Sequence, residues 1–145
     1  MKKEKRNSPK ELSTSFKTEK GQSLVEFALV VPMLLILVFG IAEFGRAWMT
    51  KNILTGAARE ASRLAVVNIP YGGKLNAENR ANQILTSASI TGATVTVDIP
   101  DTEYSTVKTT ISYNLVAITP VMRIISSGSN GEIQLTSSAS MRKEY

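Results

Sequence analysis

A carboxylate stands at the edge of the most hydrophobic run in this 145-residue chain. Glu26 is followed by sixteen uncharged residues, Phe27 to Ala42, and Gly21 lies five residues before it. A carboxylate at the centre of a bilayer costs about 2.5 to 3.5 kcal/mol, and the cost falls toward the membrane surface. Glu26 therefore needs a position near the interface together with a positive partner. The positive end of a helix, where acidic side chains are favourable, is the simplest such partner.

Few other side chains in the sequence offer chemistry. The chain has no cysteine and no histidine, which excludes disulfides, thiolate nucleophiles, histidine-based catalytic triads and nearly all zinc sites. Asp98, Asp101 and Glu103 surround a turn, but their spacing matches no calcium loop. We therefore expect a solvated turn there, and we expect no metal, no cofactor and no enzymatic activity.

The apolar run is long enough to cross a membrane as a helix. Residues 24–44 would form about 31 Å of helix, against a hydrocarbon core of about 30 Å. Seven Lys and Arg precede the run, and four follow it within twenty residues. The positive-inside rule therefore predicts a cytoplasmic N-terminus and an exported C-terminal part.

The excess of basic charge belongs to the N-terminal segment. Residues 1–20 hold seven basic and three acidic residues, whereas the rest of the chain holds ten and nine. A nucleic-acid-binding surface needs basic residues clustered on the folded part, so we expect no nucleic-acid partner. Because residues 1–20 are polar, we predict that they form a disordered leader.

Periodicity predicts the elements that follow the apolar run. A helical period continues through Ile53, Ala57, Ala61 and Leu64 until Pro70, and a second helix should run from an Asn76 N-cap to about Ser89. The period then changes to two, which predicts strands near residues 93–99, 107–115 and 132–141. The expected fold is therefore α+β. It consists of a long transmembrane-then-amphipathic helix packed on a small antiparallel sheet of about three strands, with a second short helix.

Three interpretations of the apolar segment remain open on these residues. A secretory signal peptide would be cut after Ala42, within "FGIAEF". A plain signal anchor explains the span but assigns no role to Gly21 or Glu26. The third interpretation uses both residues and rests on a resemblance to a known family.

The stretch "KGQSLVEF" resembles the cleavage site of type IV prepilins, in the Gly-x-x-x-x-Glu-aromatic form of the Tad (tight adherence, Flp-type) branch. The longer stretches "VEFALVVPMLLILVFGIAEFGR" and "AAREASRLA", and more weakly the closing "SSASMRKEY", resemble the TadE-like family of minor pilins, or pseudopilins. The resemblance implies that the fold is pilin-like, that a prepilin peptidase cuts between Gly21 and Gln22 and that the apolar helix is kept.

The resemblance also implies a division of the chain and a set of partners. Residues 1–21 would be the cytoplasmic leader, 22–45 the transmembrane helix and 46–145 the exported head. The head is larger than that of a major Flp-type pilin, which points to a minor subunit of an adhesion or secretion filament. The implied partners are the prepilin peptidase, the platform proteins, the assembly ATPase, the major pilin and a sibling minor pilin. Residues 24–44 would contact lipid in a bacterial or archaeal inner or cytoplasmic membrane.

Three residues of the span receive roles in filament assembly. Cleavage would place the new α-ammonium of Gln22 one helical turn from Glu26, and pairing of Glu26 with a neighbouring subunit's amine would fix the register between helices. Such a pair at 4 Å is worth about 4 kcal/mol at an effective dielectric of 20, before desolvation. Phe27 completes the site, and Pro32 should bend or locally open the helix.

Two further features of the long helix carry expectations. Glu43 and Arg46, three residues apart, should form a solvated ion pair worth a few tenths of a kcal/mol. Alanines 57, 58, 61 and 65 should pack in the core rather than in a subunit contact. The alternative function is a membrane-anchored or secreted module that binds a ligand or the cell envelope.

Overall fold

The computed structural model of the chain describes residues 15–67, 72–100, 106–119, 123 and 131–143, with side chains from Gly21 onward. It divides into two units, Met1–Val38 and Phe39–Tyr145. Each unit is described here by itself.

Helix α1 runs from Ser15 to Val67 without interruption over 53 residues. The predicted disorder of the leader is therefore wrong for residues 15–20, which are helical, while residues 1–14 lie outside the described part. Lys and Glu in this stretch are good helix formers, and adding turns to an existing helix avoids the cost of nucleation.

The described side chains of the first unit belong to α1 and face outward. Every residue from Gly21 to Val38 is exposed except Val31, which is half-buried. The most apolar 18-residue window of the helix has a mean hydropathy of 2.7 and no buried residue. An apolar helix surface of this kind and length fits a single-pass membrane anchor.

The second unit contains a three-stranded antiparallel sheet. Strands β1 (Thr94–Asp98), β2 (Thr106–Val116) and β3 (Glu132–Arg142) lie in the order β1-β2-β3. Their register aligns Val97 with Thr109 and Thr109 with Ala139. The three strands confirm the prediction, and with the helices they make the fold α+β. The predicted turn at Asp101 lies outside the described residues.

Helix α2 runs from Gly73 to Ser87, and it starts four residues earlier than the predicted Asn76 N-cap would place it. Gly72 is its N-cap residue, with a left-handed backbone at φ 81° and no side-chain cap hydrogen bond. The Asn76 cap is therefore wrong: the Asn76 N–H donates to the Gly72 carbonyl at 3.1 Å, within the first turn. Glycine adopts the left-handed conformation without a steric penalty, so it suits this N-cap position.

Small side chains on both helices form much of the core. Alanines 57, 58, 61 and 65 of α1 are fully buried, as are Ala77 and Ala81 of α2, and they share one cluster with Val107 and Ile111 of β2. Small side chains let the backbones of neighbouring elements approach closely, so the core can reach the usual packing density of protein interiors without large side chains. The predicted core role of the α1 alanines is confirmed.

Candidate processing and assembly site

Gly21 lies within α1, where the fold does not require a glycine. Outside its chain neighbours and the local helix backbone, no atom of the described residues lies within 4 Å of the position that a Cβ would take, and the backbone is helical. In a helix, alanine is more favourable than glycine by about 1 kcal/mol. Among the described residues, neither packing nor backbone conformation therefore requires a glycine here.

Gln22 and Glu26 are brought together across one turn of the helix. The Gln22 Nε2 donates to the Glu26 Oε1 at 3.4 Å, on an exposed surface. That distance is long for a hydrogen bond, and Glu26 has no ion pair among the described side chains. In the uncut chain the carboxylate thus has a weak neutral partner in this part of the structure.

Phe27 and Pro32 follow on the same exposed helix. The Phe27 side chain is 68% exposed. Pro32 lacks the N–H that would bind the Ala28 carbonyl, yet the α-helix continues through it. The roles in assembly given to these two residues and to Glu26 stay predictions.

Comparison with known protein families matches residues 21–63 to TadE-like proteins. We call this stretch the TadE-like segment because of that similarity. The match confirms the predicted resemblance and associates the chain with the Tad pilus system. No curated protein and no solved structure matches the chain.

The TadE-like segment begins at Gly21 and ends at Arg63. It therefore includes the predicted processing site, the apolar span and most of the part of α1 that packs in the core. Helix α2 and the sheet lie outside it.

Glu43, near the middle of the TadE-like segment, has a structural role that its sequence pattern did not predict. Its side chain is only 4% exposed. The Glu43 Oε1 accepts hydrogen bonds from the Ile118 N–H at 2.6 Å and the Thr119 N–H at 2.8 Å. Its Oε2 accepts from Arg46 Nη2 at 3.0 Å and Nε at 3.2 Å. The expected ion pair is present, but the expectation that it is solvated is wrong.

Arg46 extends the same arrangement to the end of β2. Besides binding Glu43, its Nη2 donates to the Val116 carbonyl. We call this set of hydrogen bonds, from Glu43 and Arg46 to the backbone of residues 116–119, the base clamp. It fixes the segment after β2 against α1.

A second ion pair of α1 has the same spacing but a different environment. Arg63 Nη2 lies 3.0 Å from Glu60 Oε1, and the Arg63 side chain is 56% exposed. The hydrogen bond from Arg63 lowers the pKa of Glu60, although partial burial opposes the shift. The Glu60–Arg63 pair is closer to the solvated arrangement expected for Glu43 and Arg46. Because both pairs have the same spacing, the sequence alone could not show which of them is buried.

Polar side chains of α1 also reach strand β3. The Thr55 and Ser137 hydroxyls are 2.7 Å apart, and the Ser62 hydroxyl donates to the Ala139 carbonyl at 3.1 Å. Lys51 donates to the Thr136 carbonyl. These contacts, together with the alanine core, orient the sheet on the helix.

Proposed function

We propose that the chain is a minor pilin, or pseudopilin, of a Tad-type pilus or a related secretion filament. In this proposal it is a structural subunit and not an enzyme, made as a precursor and cut between Gly21 and Gln22. The observation that carries the proposal is the TadE-like match, which starts at Gly21 on a helix whose following residues are apolar and exposed.

Cleavage would change the charge balance at the start of the span. The new α-ammonium of Gln22 would replace the side-chain amide as the group nearest Glu26, since the two residues already lie one turn apart. The free N–H groups of the new first turn would add the positive end of the helix dipole. A charged pair is stronger than the neutral contact of the uncut chain.

An exposed Glu26 is also accessible to a second subunit. Its carboxylate has no cation among the described side chains, so an α-ammonium of a neighbouring pilin can bind it without displacing an existing ion pair. Because hydrocarbon excludes water, such a pair would favour one axial register between packed helices.

Processing requires access to the peptide bond after Gly21, which lies inside α1. The helix must open locally for a peptidase to reach that bond. Glycine lowers the local stability of a helix by about 1 kcal/mol relative to alanine, which makes opening at this point easier. The helical residues 15–20 do not therefore conflict with cleavage.

The proposal also gives an orientation in the membrane and an order in which the partners act. With the N-terminus in the cytoplasm, the helix would be held in the membrane and the head of residues 46–145 exported. The prepilin peptidase would act first. The platform proteins, the assembly ATPase, the major pilin and a sibling minor pilin would then bring the subunit into the filament.

The mature N-terminus tests the proposal. The full chain, co-expressed with the prepilin peptidase of its own cell, should yield a mature protein beginning at Gln22, measured by N-terminal sequencing and intact mass. A protein beginning at Glu43 would instead indicate a signal peptide, and one beginning at residue 1 or 2 a simple anchor. Either result would overturn the proposal.

Two glycines provide a matched pair for the same assay. Gly21→Ala should block or strongly slow cleavage, whereas Gly40→Ala should be cut normally. Both glycines lie in α1, and outside the local helix backbone no atom of the described residues lies within 4 Å of an added Cβ, so neither substitution introduces a steric clash with those residues. Equal cleavage of both variants would show that Gly21 is not read by the peptidase.

Glu26 is tested at the assembly step. Glu26→Gln should leave cleavage largely intact but reduce incorporation into filaments, measured in sheared filament fractions, because it removes the charge and keeps the shape. Glu26→Asp keeps the charge and should retain more incorporation than Glu26→Gln. Normal filaments from Glu26→Gln would leave Glu26 with no role beyond a favourable position near a helix start.

A further inference from the structure

We propose that the head has a lipid contact of its own, formed by Ile118 after β2 beside the C-terminal end of the span. In this arrangement Ile118 lies at the membrane surface together with Phe44 and Trp48 of α1. We call these three side chains the apolar collar. The inference rests on the span of the proposed function but not on cleavage or filament assembly.

The base clamp determines where Ile118 lies. Glu43 accepts the N–H groups of Ile118 and Thr119 at 2.6 and 2.8 Å, so residue 118 is held beside the helix at the level of residue 43. Phe39 and Ile41, just before this level, are exposed apolar residues of the same unit. The clamp therefore holds a segment distant in sequence at the point where the apolar part of the helix ends.

The collar exposes more apolar surface than a water-facing position would favour. Ile118 is 72% exposed, Phe44 69% and Trp48 61%. The rings of Phe44 and Trp48 stack with centroids 6.1 Å apart. Aromatic side chains of this kind are enriched where the hydrocarbon meets the headgroups, and an apolar side chain beside them is stabilised by the same environment.

The collar continues the apolar surface of α1. Phe44 and Trp48 follow the apolar run of the helix in sequence, and every residue from Gly21 to Val38 except the half-buried Val31 is exposed. Lys51, three residues after Trp48, is the first lysine beyond the collar, and its long side chain can place its stem along apolar surface with its charge toward the headgroups. Continuity with an apolar helix that fits a membrane anchor favours lipid over another protein as the occupant.

The charge of Glu43 does not prevent the apolar collar from lying at the membrane surface. Its carboxylate is covered by the Arg46 guanidinium and by two backbone N–H groups, so its charge is compensated before the head meets the membrane. An uncompensated acid at the same position would oppose insertion of its neighbours.

Site-directed labelling of the full chain in vesicles tests the collar. The chain has no cysteine and one tryptophan, so a single introduced cysteine can carry an environment-sensitive fluorophore. In phosphatidylcholine–phosphatidylglycerol vesicles, a label on Ile118→Cys should show severalfold weaker quenching by aqueous iodide than a label on Thr96→Cys. It should be quenched by brominated lipid, as should the intrinsic fluorescence of Trp48.

Two controls separate the possible failures. A label on Phe27→Cys reports the span, and Thr96 lies on the exposed face of β1. If the Ile118 label is as accessible to iodide as the Thr96 label while the Phe27 label is protected, the collar is wrong and the span stands. If the Phe27 label is also accessible, the span fails and the collar with it. Neither result depends on the mature N-terminus, which tests the proposed function separately.

The clamp itself can be tested in the same samples. Adding Glu43→Gln to Ile118→Cys should increase iodide quenching of the label, because fewer hydrogen bonds would hold the segment at the membrane. Adding Glu60→Gln, at the exposed pair with the same spacing, should leave the quenching unchanged. Equal effects of the two substitutions would overturn the role given to the clamp.

Discussion

Replacement of Glu43 by alanine removes the central group of the base clamp. Two hydrogen bonds to backbone N–H groups, at 2.6 and 2.8 Å, are lost, and each charge-assisted bond of this kind contributes about 1.5 to 3 kcal/mol. Arg46 also loses its partner, but its side chain is 32% exposed and can be solvated. Because the Ile118 side chain is exposed, water can reach part of the freed backbone. We therefore expect the lower end of the range, a loss of about 3 kcal/mol.

The assay is thermal unfolding of the full chain in detergent micelles, followed by circular dichroism of the sheet. For a domain of about 100 residues, such as the head of residues 46–145, a loss of 1 kcal/mol in the free energy of unfolding lowers Tm by about 4 to 8 °C. The Tm of Glu43→Ala should therefore fall by at least about 12 °C. Hydrogen exchange gives a local readout: the amides of residues 118 and 119 should exchange faster in Glu43→Ala. Glu43→Gln keeps one acceptor oxygen and should have an intermediate effect.

The control is Glu60→Gln, which removes the acid from a more exposed ion pair with the same three-residue spacing; the 29% exposed Glu60 also lies 3.8 Å from Arg80 of α2. We expect its Tm to fall much less than that of Glu43→Ala, since surface ion pairs contribute little to stability. If Glu43→Ala and Glu60→Gln have equal effects, or if amide exchange at residues 118 and 119 is unchanged, the base clamp does not stabilise the head.

The remaining predictions concern the core and use the same thermal assay. Thr109→Val should raise stability by about 1 kcal/mol, because the buried Thr109 hydroxyl has no hydrogen-bond partner in the described part of the chain. Ser62→Ala should lower it by about 1 kcal/mol, since that hydroxyl donates to the Ala139 carbonyl. Ala58→Leu should cost at least about 1 to 3 kcal/mol by overpacking a fully buried site. Gly56→Ala, on the open face of the same helix, should gain up to about 1 kcal/mol. A more stable Ala58→Leu or Ser62→Ala protein would contradict the packing described.

Local sequence patterns predicted most of the fold. The helical period through Ala57 and Ala61 and the alternation through Val107 and Ile111 identify the buried face of each element, and all four residues are fully buried. These predictions succeed because the side-chain period of a helix or strand is a property of neighbouring residues.

Predictions of element ends were less accurate. Helix α1 begins at Ser15, before the Gly21 boundary of the predicted leader, and α2 begins at Gly73 rather than after an Asn76 cap. A polar composition does not prevent the extension of a helix already formed. A glycine such as Gly72 can precede a helix without offering a side-chain cap.

The sequence by itself determined the TadE-like segment, the apolar span and the one-turn spacing of Gln22 and Glu26, because all of these depend on residues within a few turns of one helix. Only the tertiary structure decided what Glu43 does. Its partners lie 75 and 76 residues away, and they are backbone N–H groups, which every residue except proline carries. No residue type at positions 118 and 119 could therefore signal the contact, and the collar that depends on it became visible only when the chain was folded.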